Sequence, residues 1–551
     1  MSDAVTDNGS KLKLQPHGSK DEKYRRIVKV TKGELNSNAT MASFIESACD
    51  KYADKTAFYC GPQSLTYREV EEKSRQLAGW IQNNTNLKPG DRIAIQLPNI
   101  LDFPIAAFAA LRAGLVLVNT NPLYTAREMQ HQFIDSGAKA LVIFAPLSAP
   151  LASVIDQTGI EVVIFAKGGG SASVQSERDL QQVELDEILS ADAFPFSVPN
   201  IDAEAIGMLQ YTGGTTGRAK GASLTHASVL ANMEQLEDRL NGVVVPGEEL
   251  FVCPLPLYHI YAFAVNLILF FSQGNTNILI PNPRDLDTFV AQLKPHKFTG
   301  FAGINTLFVG LCQHPEFRAL DFSHLKITLS GGTALIDAAR RGWEELTGCS
   351  ITEGYGMSET SPVISLNQPG REHYGTVGEP LVNTKVEIWD LNDQPLPDGE
   401  VGQIVLKGKQ VMKGYWNNPE ETGQVLTADG FFKTGDMGII LDDGCIQIVD
   451  RLKDMVLVSG FNVYPSEVEQ VLCSHPDVLE AAVIGVKKDD TTGEAVKAFV
   501  TAKDTLELTD LEVFCRQNLT AYKVPKQVVV VSELPKTAVG KILRKDLRSK
   551  G

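Results

Sequence analysis

The sequence predicts an α/β protein: a large N-terminal lobe of helix-covered, mainly parallel sheets, then a small β-rich unit, then an α+β C-terminal segment. Three observations carry that expectation. From Ala57 onward, short apolar runs alternate with helical patterns, as strands joined by crossover helices do. Beyond Gly375 short strands separated by turns dominate, with turn signals at Asp398, Gly399 and at Asp442, Asp443, Gly444. After Asp450–Asp454 comes a mixed stretch of roughly a hundred residues, the size of a small independent domain. At 551 residues the chain exceeds what one core usually covers, so several structural units are expected.

Taken in order, residues 1–40 are polar and charged and read as a flexible N-terminal extension. Order is expected from Met41, where Phe44, Ile45 and Ala48 recur at helical spacing. Arg92–Gln96, Leu115–Val118 and Ala140–Phe144 read as strands and Ile105–Ala113 as a helix; the Gly-rich run at 168–175 reads as a loop. Leu250–Pro254, Thr276–Ile280 and Lys326–Ser330 continue the strand pattern. Thr384–Trp389, Gly402–Lys407 and Cys445–Val449 then form the β-rich unit. No internal repeat is visible.

Composition bounds the function classes. A formal net charge of −16 and a pI near 5.1 argue against a nucleic-acid-binding surface. The acidity lies in residues 1–450, whereas the extreme C-terminus is basic, with Lys536, Lys541, Arg544, Lys545, Arg548 and Lys550 against Asp546 alone. Charge alone reads that cluster as a solvated helix face. Eight cysteines lie scattered, without a Cys-x-x-Cys pair or a nearby His in ligand spacing. That suits free thiols in a reducing compartment and no structural metal. The N-terminus lacks an apolar signal region, and the last residues are not a Ser-Lys-Leu address. The longest apolar stretch, Ile260–Phe271, is interrupted by Asn266 and falls short of the ~20 residues that span a bilayer.

The most informative stretch is YTGGTTGRAKG at 211–221. Glycines let several backbone N–H groups converge on one point, while threonine hydroxyls and Lys220 add donors and charge for a polyanion. Ile206–Gln210 upstream reads as a buried strand, and Leu224, Val229, Leu230 and Met233 downstream recur at helical spacing, so the loop is expected to join a strand to a helix. It is not a Walker A loop, because Gly221 and Ala222 follow Lys220. Alone, the run reads equally well as a solvent loop without a ligand.

Four further motifs follow in order: EGYGMSET at 353–360, FFKTGDMG at 431–438, VDRLKDMVLVSGFNVYP at 449–465 and PKTAVGKILRK at 535–545. With the Gly-rich run they resemble the adenylate-forming enzymes, and within them the bacterial long-chain fatty-acid CoA ligases. The resemblance spans Met41 to Lys545. It implies an adenylation N-terminal domain at 41–450 and a mobile C-terminal lid domain at 451–551. Such enzymes couple a carboxylic acid to ATP as an acyl adenylate, releasing pyrophosphate, and then pass the acyl group to the thiol of coenzyme A.

The resemblance also implies site roles. Thr212, Gly213, Gly214, Thr215, Thr216 and Gly217 would hold the β- and γ-phosphates with Lys220 nearby, and Thr215 and Glu359 would bind Mg²⁺, a hard cation that favours oxygen ligands. Gly331, Gly332 and Thr333, with Glu353, Gly354, Tyr355, Gly356 and Met357, would line the adenine pocket. Asp436 would accept hydrogen bonds from both ribose hydroxyls, and Arg451 would complement the ribose and α-phosphate. Lys541 would reach the α-phosphate and the substrate carboxylate. The stretch Asp450–Asp454, with Lys453 at its centre, resembles a hinge that presents Lys541 in the first half-reaction and Ser459, Gly460 and Phe461 to coenzyme A in the second.

For the acyl group, PLPLYHIYAF (254–263) and GFAGINTLF (300–308) offer Tyr258, His259, Tyr261 and Gly303, with Gly300 and Gly303 read as room for a long chain. Taken by residue type alone, Glu359 reads first as a surface glutamate and His259 as a core histidine, and Asp436 and Arg451 would otherwise read as a turn residue and a surface cation. Arg218 and Ala219 stand where many relatives have a variable residue and a proline, which removes no phosphate donor. Cytoplasmic residence, peripheral contact at the inner membrane and a homodimer are also implied. The rival readings are a ligase for aryl or medium-chain acids, an adenylation module that loads a carrier protein, and a non-catalytic acyl-nucleotide-binding protein.

Overall fold

A computed structural model describes residues 39–167, 172–212, 219–458, 461–489, 493–537 and 541–548. Of the residues singled out above, Gly213, Gly214, Thr215, Thr216, Gly217, Arg218, Ser459, Gly460 and Lys550 lie outside the described residues, as do residues 1–38 and the Gly-rich positions 168–171.

Two large sheets form the N-terminal lobe. One has eight strands in the order Val363–Leu366, Ile351–Gly356, Ile327–Ser330, Gly300–Gly303, Leu250–Cys253, Thr276–Leu279, Thr56–Cys60, Gln63–Thr66. Its inner pairs are parallel and the two edge pairs antiparallel. The other has seven strands in the order Gln181–Glu184, Val162–Ala166, Ala138–Phe144, Arg92–Gln96, Val116–Asn119, Ile206–Thr212, Lys220–Thr225. Parallel strands buried on both faces need near-continuous apolar runs, and Ala138–Phe144 (AKALVIF) and Val162–Ala166 (VVIFA) supply them.

The stretch Ile260–Phe271 is core. A short helical turn leads into a π-helical segment, Phe263–Phe270, buried on every face, with Phe270 stacked on Phe251 and Phe271 on Phe58. The interrupting Asn266 pairs there with Asn277: its Nδ2 donates to Asn277 Oδ1 at 3.0 Å, and Asn277 Nδ2 donates to the Asn266 carbonyl at 3.2 Å. No described helix is long and apolar enough to cross a membrane.

The β-rich unit is a four-stranded antiparallel sheet of Lys385–Trp389, Gly402–Lys407, Phe432–Ile440 and Ile446–Arg451. Gly399 and Gly444, at φ +90° and +87°, make its turns where the sequence placed them. After the turn Leu452–Asp454 a five-stranded sheet begins at Val456 and is built on the long pair Val478–Asp489 and Gly493–Ala502.

One local expectation is corrected. The Gly-rich run joins two antiparallel strands, Ile206–Thr212 and Lys220–Thr225, rather than a strand to a helix. Helical spacing from Leu224 hid the intervening strand. The helix starts only at His226, where Thr225 caps it by accepting from Ser228 N at 2.9 Å.

Candidate active site

The base of the Gly-rich run is fixed by strand register, with Thr212 opposite Lys220. Helix Ala126–Ser136 braces both ends: Tyr211 Oη donates to Asp135 Oδ2 at 2.5 Å, and His131 Nε2 meets the Ala219 carbonyl at 2.9 Å. Lys220 Nζ pairs with Glu421 Oε2 at 2.5 Å and lies 5.2 Å from the Tyr415 ring centroid. Tyr415 Oη in turn donates to Glu359 Oε1 at 2.8 Å. Lys220 and Glu359, the residues expected at phosphate and metal, thus meet around one tyrosine. Tyr415 and Glu421 were not singled out in the sequence, although both lie in the unassigned run KGYWNNPEET.

Glu359 is buried, only 6% exposed, and lines a cleft of about 350 Å³ together with Met357, Thr434 and Gly435. A buried carboxylate with a single hydroxyl donor on one oxygen suits a hard divalent cation, so the residue fits Mg²⁺. Glu359→Gln is expected to raise the Mg²⁺ concentration for half-maximal activity by about tenfold, the scale of one charge-assisted contact. A Mg²⁺ titration at saturating ATP checks this.

Three of the residues expected at the nucleotide lie in contact with one another. Tyr355 Oη donates to Asp436 Oδ2 at 2.6 Å, and Arg451 Nε sits 3.2 Å from Asp436 Oδ1. Asp436 and Arg451 are register partners in one hairpin, which explains the meeting of residues fifteen apart in sequence. Burial, then the Asp436 carboxylate, holds the Tyr355 hydroxyl well above its usual range, so it stays a donor. Gly331 packs against Gly354 and Tyr261, where a Cβ would stand 3.5 Å from the Gly354 oxygen and the Tyr261 ring, and Gly332 has φ +86°. Gly356 is tighter still: a Cβ there would lie 2.0 Å from the Pro362 oxygen. Glu353 is buried and its pKa is pushed up to about 7 by that burial, against a hydrogen bond from Leu335 N at 2.8 Å.

Lys541 reaches this centre from the C-terminal tail. Its backbone closes a turn with Thr537, donating to Oγ1 at 3.1 Å and accepting from Thr537 N at 2.8 Å. Burial pushes its pKa down to about 7; repulsion from Arg451 and Lys453 adds to this, and Asp436 and Asp454 oppose it. Lys453 is lowered for the same leading reason, desolvation, with Arg451 second. The Lys541 charge is also felt by His259, whose pKa falls to about 4, chiefly through burial. His259 is therefore neutral near pH 7. It caps the turn Ile260–Ala262 by accepting from Tyr261 N at 3.3 Å, and Tyr258 is tethered through its carbonyl to Gln210 Nε2 at 3.1 Å.

Two expectations change here. Gly300 and Gly303 do not open space for an acyl chain on the side a Cβ would occupy. There Phe251 stands 2.1 Å from the Gly300 Cβ position and Phe308 2.7 Å from that of Gly303, so these glycines admit core rings. Cys445, which has no histidine nearby in ligand spacing along the sequence, has His373 and Asp443 as neighbours in space, with ligand atoms within 4.8 Å of one another. His373 Nδ1 and Asp443 Oδ2 are 2.7 Å apart as an ion pair. Phe461 is exposed and its ring stacks on Tyr522 at 4.9 Å.

Strand-borne Tyr355, Asp436 and Arg451, approached by Lys541 from the C-terminal tail, form the arrangement expected of an adenylating enzyme, and the chain belongs to the AMP-binding enzyme family. The family model for AMP-binding enzymes matches residues 45–416 and that for their C-terminal domain matches 467–541. Among individual relatives, the chain is 42% identical to a long-chain-fatty-acid–CoA ligase of Salmonella typhimurium, over 92% of this chain and 94% of that one. A long-chain-fatty-acid–CoA ligase of Bacillus subtilis is 37% identical over 93% and 94%. Among solved structures, ATP-bound MatB from Rhodopseudomonas palustris superposes with a TM-score of 0.82 at 28% identity, covering 92% of this chain and 98% of that one.

Proposed function

We propose that this chain is an AMP-forming long-chain fatty-acid–CoA ligase. The observation that carries the reading is the convergence of Lys541, Arg451, Asp436 and Tyr355 beside Glu359 and Lys220, combined with relatives of that activity over nearly the whole length. In the first half-reaction a carboxylate oxygen of the fatty acid attacks the α-phosphorus of ATP and pyrophosphate leaves. Negative charge gathers on the α-phosphate oxygens, and preplaced cations stabilise it at no reorganisation cost. Lys541 and Arg451 supply them.

Asp436, held by Tyr355 and Arg451, presents acceptor oxygens to the ribose hydroxyls and fixes the nucleotide relative to Lys541. The Gly-rich run 213–217 and Lys220 bind the departing phosphates. Glu359 with Thr215 would hold Mg²⁺, which would supply positive charge against the phosphates. His259, neutral and half-buried, walls the carboxylate end without adding a charge. In the second half-reaction the CoA sulfur attacks the acyl carbon, the C–O bond to phosphate breaks and AMP leaves.

Rotation of a lid domain, residues 451–551, about Asp450–Asp454 exchanges Lys541 for the surface at 459–461 between the two steps. Lys453→Pro fixes φ within the turn Leu452–Asp454. It is expected to slow thioester formation by at least tenfold more than adenylation; single-turnover assays of each half-reaction check this, and equal slowing would count against rotation. Cytoplasmic residence, peripheral contact at the inner membrane and a homodimer belong to the same proposal; vesicle co-sedimentation and sedimentation equilibrium test the last two.

Substrate class is tested by CoA-dependent AMP release across saturated acids from butyrate to stearate, with benzoate and 4-coumarate alongside. A maximum at the long chains supports the reading. A maximum at an aryl or short acid retains the mechanism and moves the substrate, and no AMP with any acid overturns it.

A further inference from the structure

The three residues assigned to the adenine face, Gly331, Gly332 and Thr333, lie on a connection without regular structure between strand Ile327–Ser330 and helix Asp337–Thr347. Such a connection does not fix its own shape, and Gly332, at φ +86° with nothing near its Cβ position, adds freedom. Two buried side chains from neighbouring elements impose one.

Asn305 opens the helix that follows strand Gly300–Gly303 and is 8% exposed. Its Nδ2 donates to the Ala334 carbonyl at 2.7 Å and to Thr333 Oγ1 at 3.3 Å, and its Oδ1 accepts from Ile336 N at 2.9 Å. Glu353 comes from the other side, on strand Ile351–Gly356, and accepts from Leu335 N at 2.8 Å. Its own backbone is anchored, its carbonyl accepting from Asn367 N at 3.0 Å and Asn367 Nδ2 at 3.2 Å. Four consecutive residues, 333–336, are thus gripped from both sides, by strand Ile351–Gly356 and by the helix that follows strand Gly300–Gly303, the two strands that flank Ile327–Ser330 in the sheet. The grip sits beyond the C-terminal ends of parallel strands, where α/β sheets hold ligands.

We propose that Asn305 and Glu353 are positioning residues for recognition of the nucleotide base, clamping the 331–336 connection so that its backbone N–H and C=O groups meet the edge of adenine and refuse guanine. The proposal rests on the adenylation reading. A backbone edge discriminates bases only if its donors and acceptors are fixed in place, because a loop that rearranges can satisfy either pattern. The clamp touches the stretch assigned to the base. Phosphate binding at Lys220 and Glu359, and the acid beside His259, are served by other elements.

The test uses the full-length protein and acid-dependent exchange of pyrophosphate into ATP, GTP and ITP, with palmitate as the acid. Asn305→Ala and Glu353→Ala are each expected to raise KM for ATP by about tenfold, the scale of a buried hydrogen bond left unmade, with kcat changing less than about threefold. The preference for ATP over GTP is expected to fall by a similar factor, while KM for palmitate stays put. Glu353→Gln keeps an oxygen for Leu335 N–H and is expected to recover at least half of the loss on a logarithmic scale. Asn305→Asp keeps the acceptor for Ile336 N–H and loses the donor, and is expected to fall between wild type and alanine.

A merely structural role predicts something else: lower thermal stability with base preference intact in the folded fraction, or losses shared equally by ATP and palmitate. Either result overturns the proposal, as does wild-type base preference in folded Asn305→Ala and Glu353→Ala. Absence of exchange in the wild-type protein would instead sink the adenylation reading, so the two failures are distinguishable.

Discussion

Replacing Lys541 with alanine is expected to lower fatty-acid-dependent pyrophosphate release by at least about a hundredfold, the scale of removing one preplaced charge from a transition state. Thioester formation from supplied acyl adenylate is expected to fall far less, because the acyl phosphate is already made. The pH profile gives a second, independent signature. In the free enzyme the Lys541 pKa is about 7, so the ammonium that complements phosphate is present below that pH and is lost as pH rises through it. The pH dependence of kcat/KM reports the free enzyme. For adenylation, kcat/KM for ATP is therefore expected to be level below about pH 7 and to decline above it. His259, at about 4, titrates too low to bend the neutral range, whereas Glu353, at about 7, titrates within it, so replacement of Lys541 is what assigns the decline. Any activity left in Lys541→Arg is expected to lose the alkaline decline, since guanidinium stays charged. An unchanged decline in that variant would assign the titration to another group.

The second large effect is expected at Asp436. This carboxylate is 6% exposed and joins Tyr355 Oη to Arg451 Nε. Alanine there removes the proposed ribose acceptor and leaves a guanidinium and a hydroxyl without their shared partner. Breaking a buried ion pair from one side costs about 3–5 kcal/mol. Not all of that falls on catalysis, and kcat/KM for ATP is expected to drop by about a hundredfold, with KM carrying most of it. Asp436→Asn retains one acceptor oxygen and is expected to recover part of the loss. Steady-state kinetics at varied ATP checks both, and an effect confined to KM for the fatty acid would contradict the ribose assignment.

Much of this site was legible because its residues sit in short ordered motifs. Asp436 and Arg451 fall in one hairpin whose turn, Asp442–Asp443–Gly444, announces itself, so their meeting follows from strand register. Arg92–Gln96 and Ala138–Phe144 were legible as strands because parallel strands covered on both faces carry near-continuous apolar runs, here Ile93–Ile95 and Ala140–Phe144. The contacts that were not legible join distant segments. Lys220 and Glu421 are 201 residues apart, and Tyr415 and Glu359 are 56 apart. No periodicity connects them, and only the folding of the segment 415–421 against Lys220 and Glu359 brings them together. The strand Lys220–Thr225 was missed because Leu224 continues the spacing of the helix behind it. Gly300 and Gly303 misled for another reason: a missing Cβ marks close approach without saying by what, and here Phe251 and Phe308 fill the space.

The most direct test of the central claim is a product count. Purified protein is given palmitate, ATP, Mg²⁺ and CoA, and palmitoyl-CoA, AMP, ADP, pyrophosphate and phosphate are measured together. The account predicts palmitoyl-CoA, AMP and pyrophosphate in equal amounts, with none formed when palmitate is left out. ADP and phosphate in place of AMP and pyrophosphate, or AMP without palmitoyl-CoA, would contradict it.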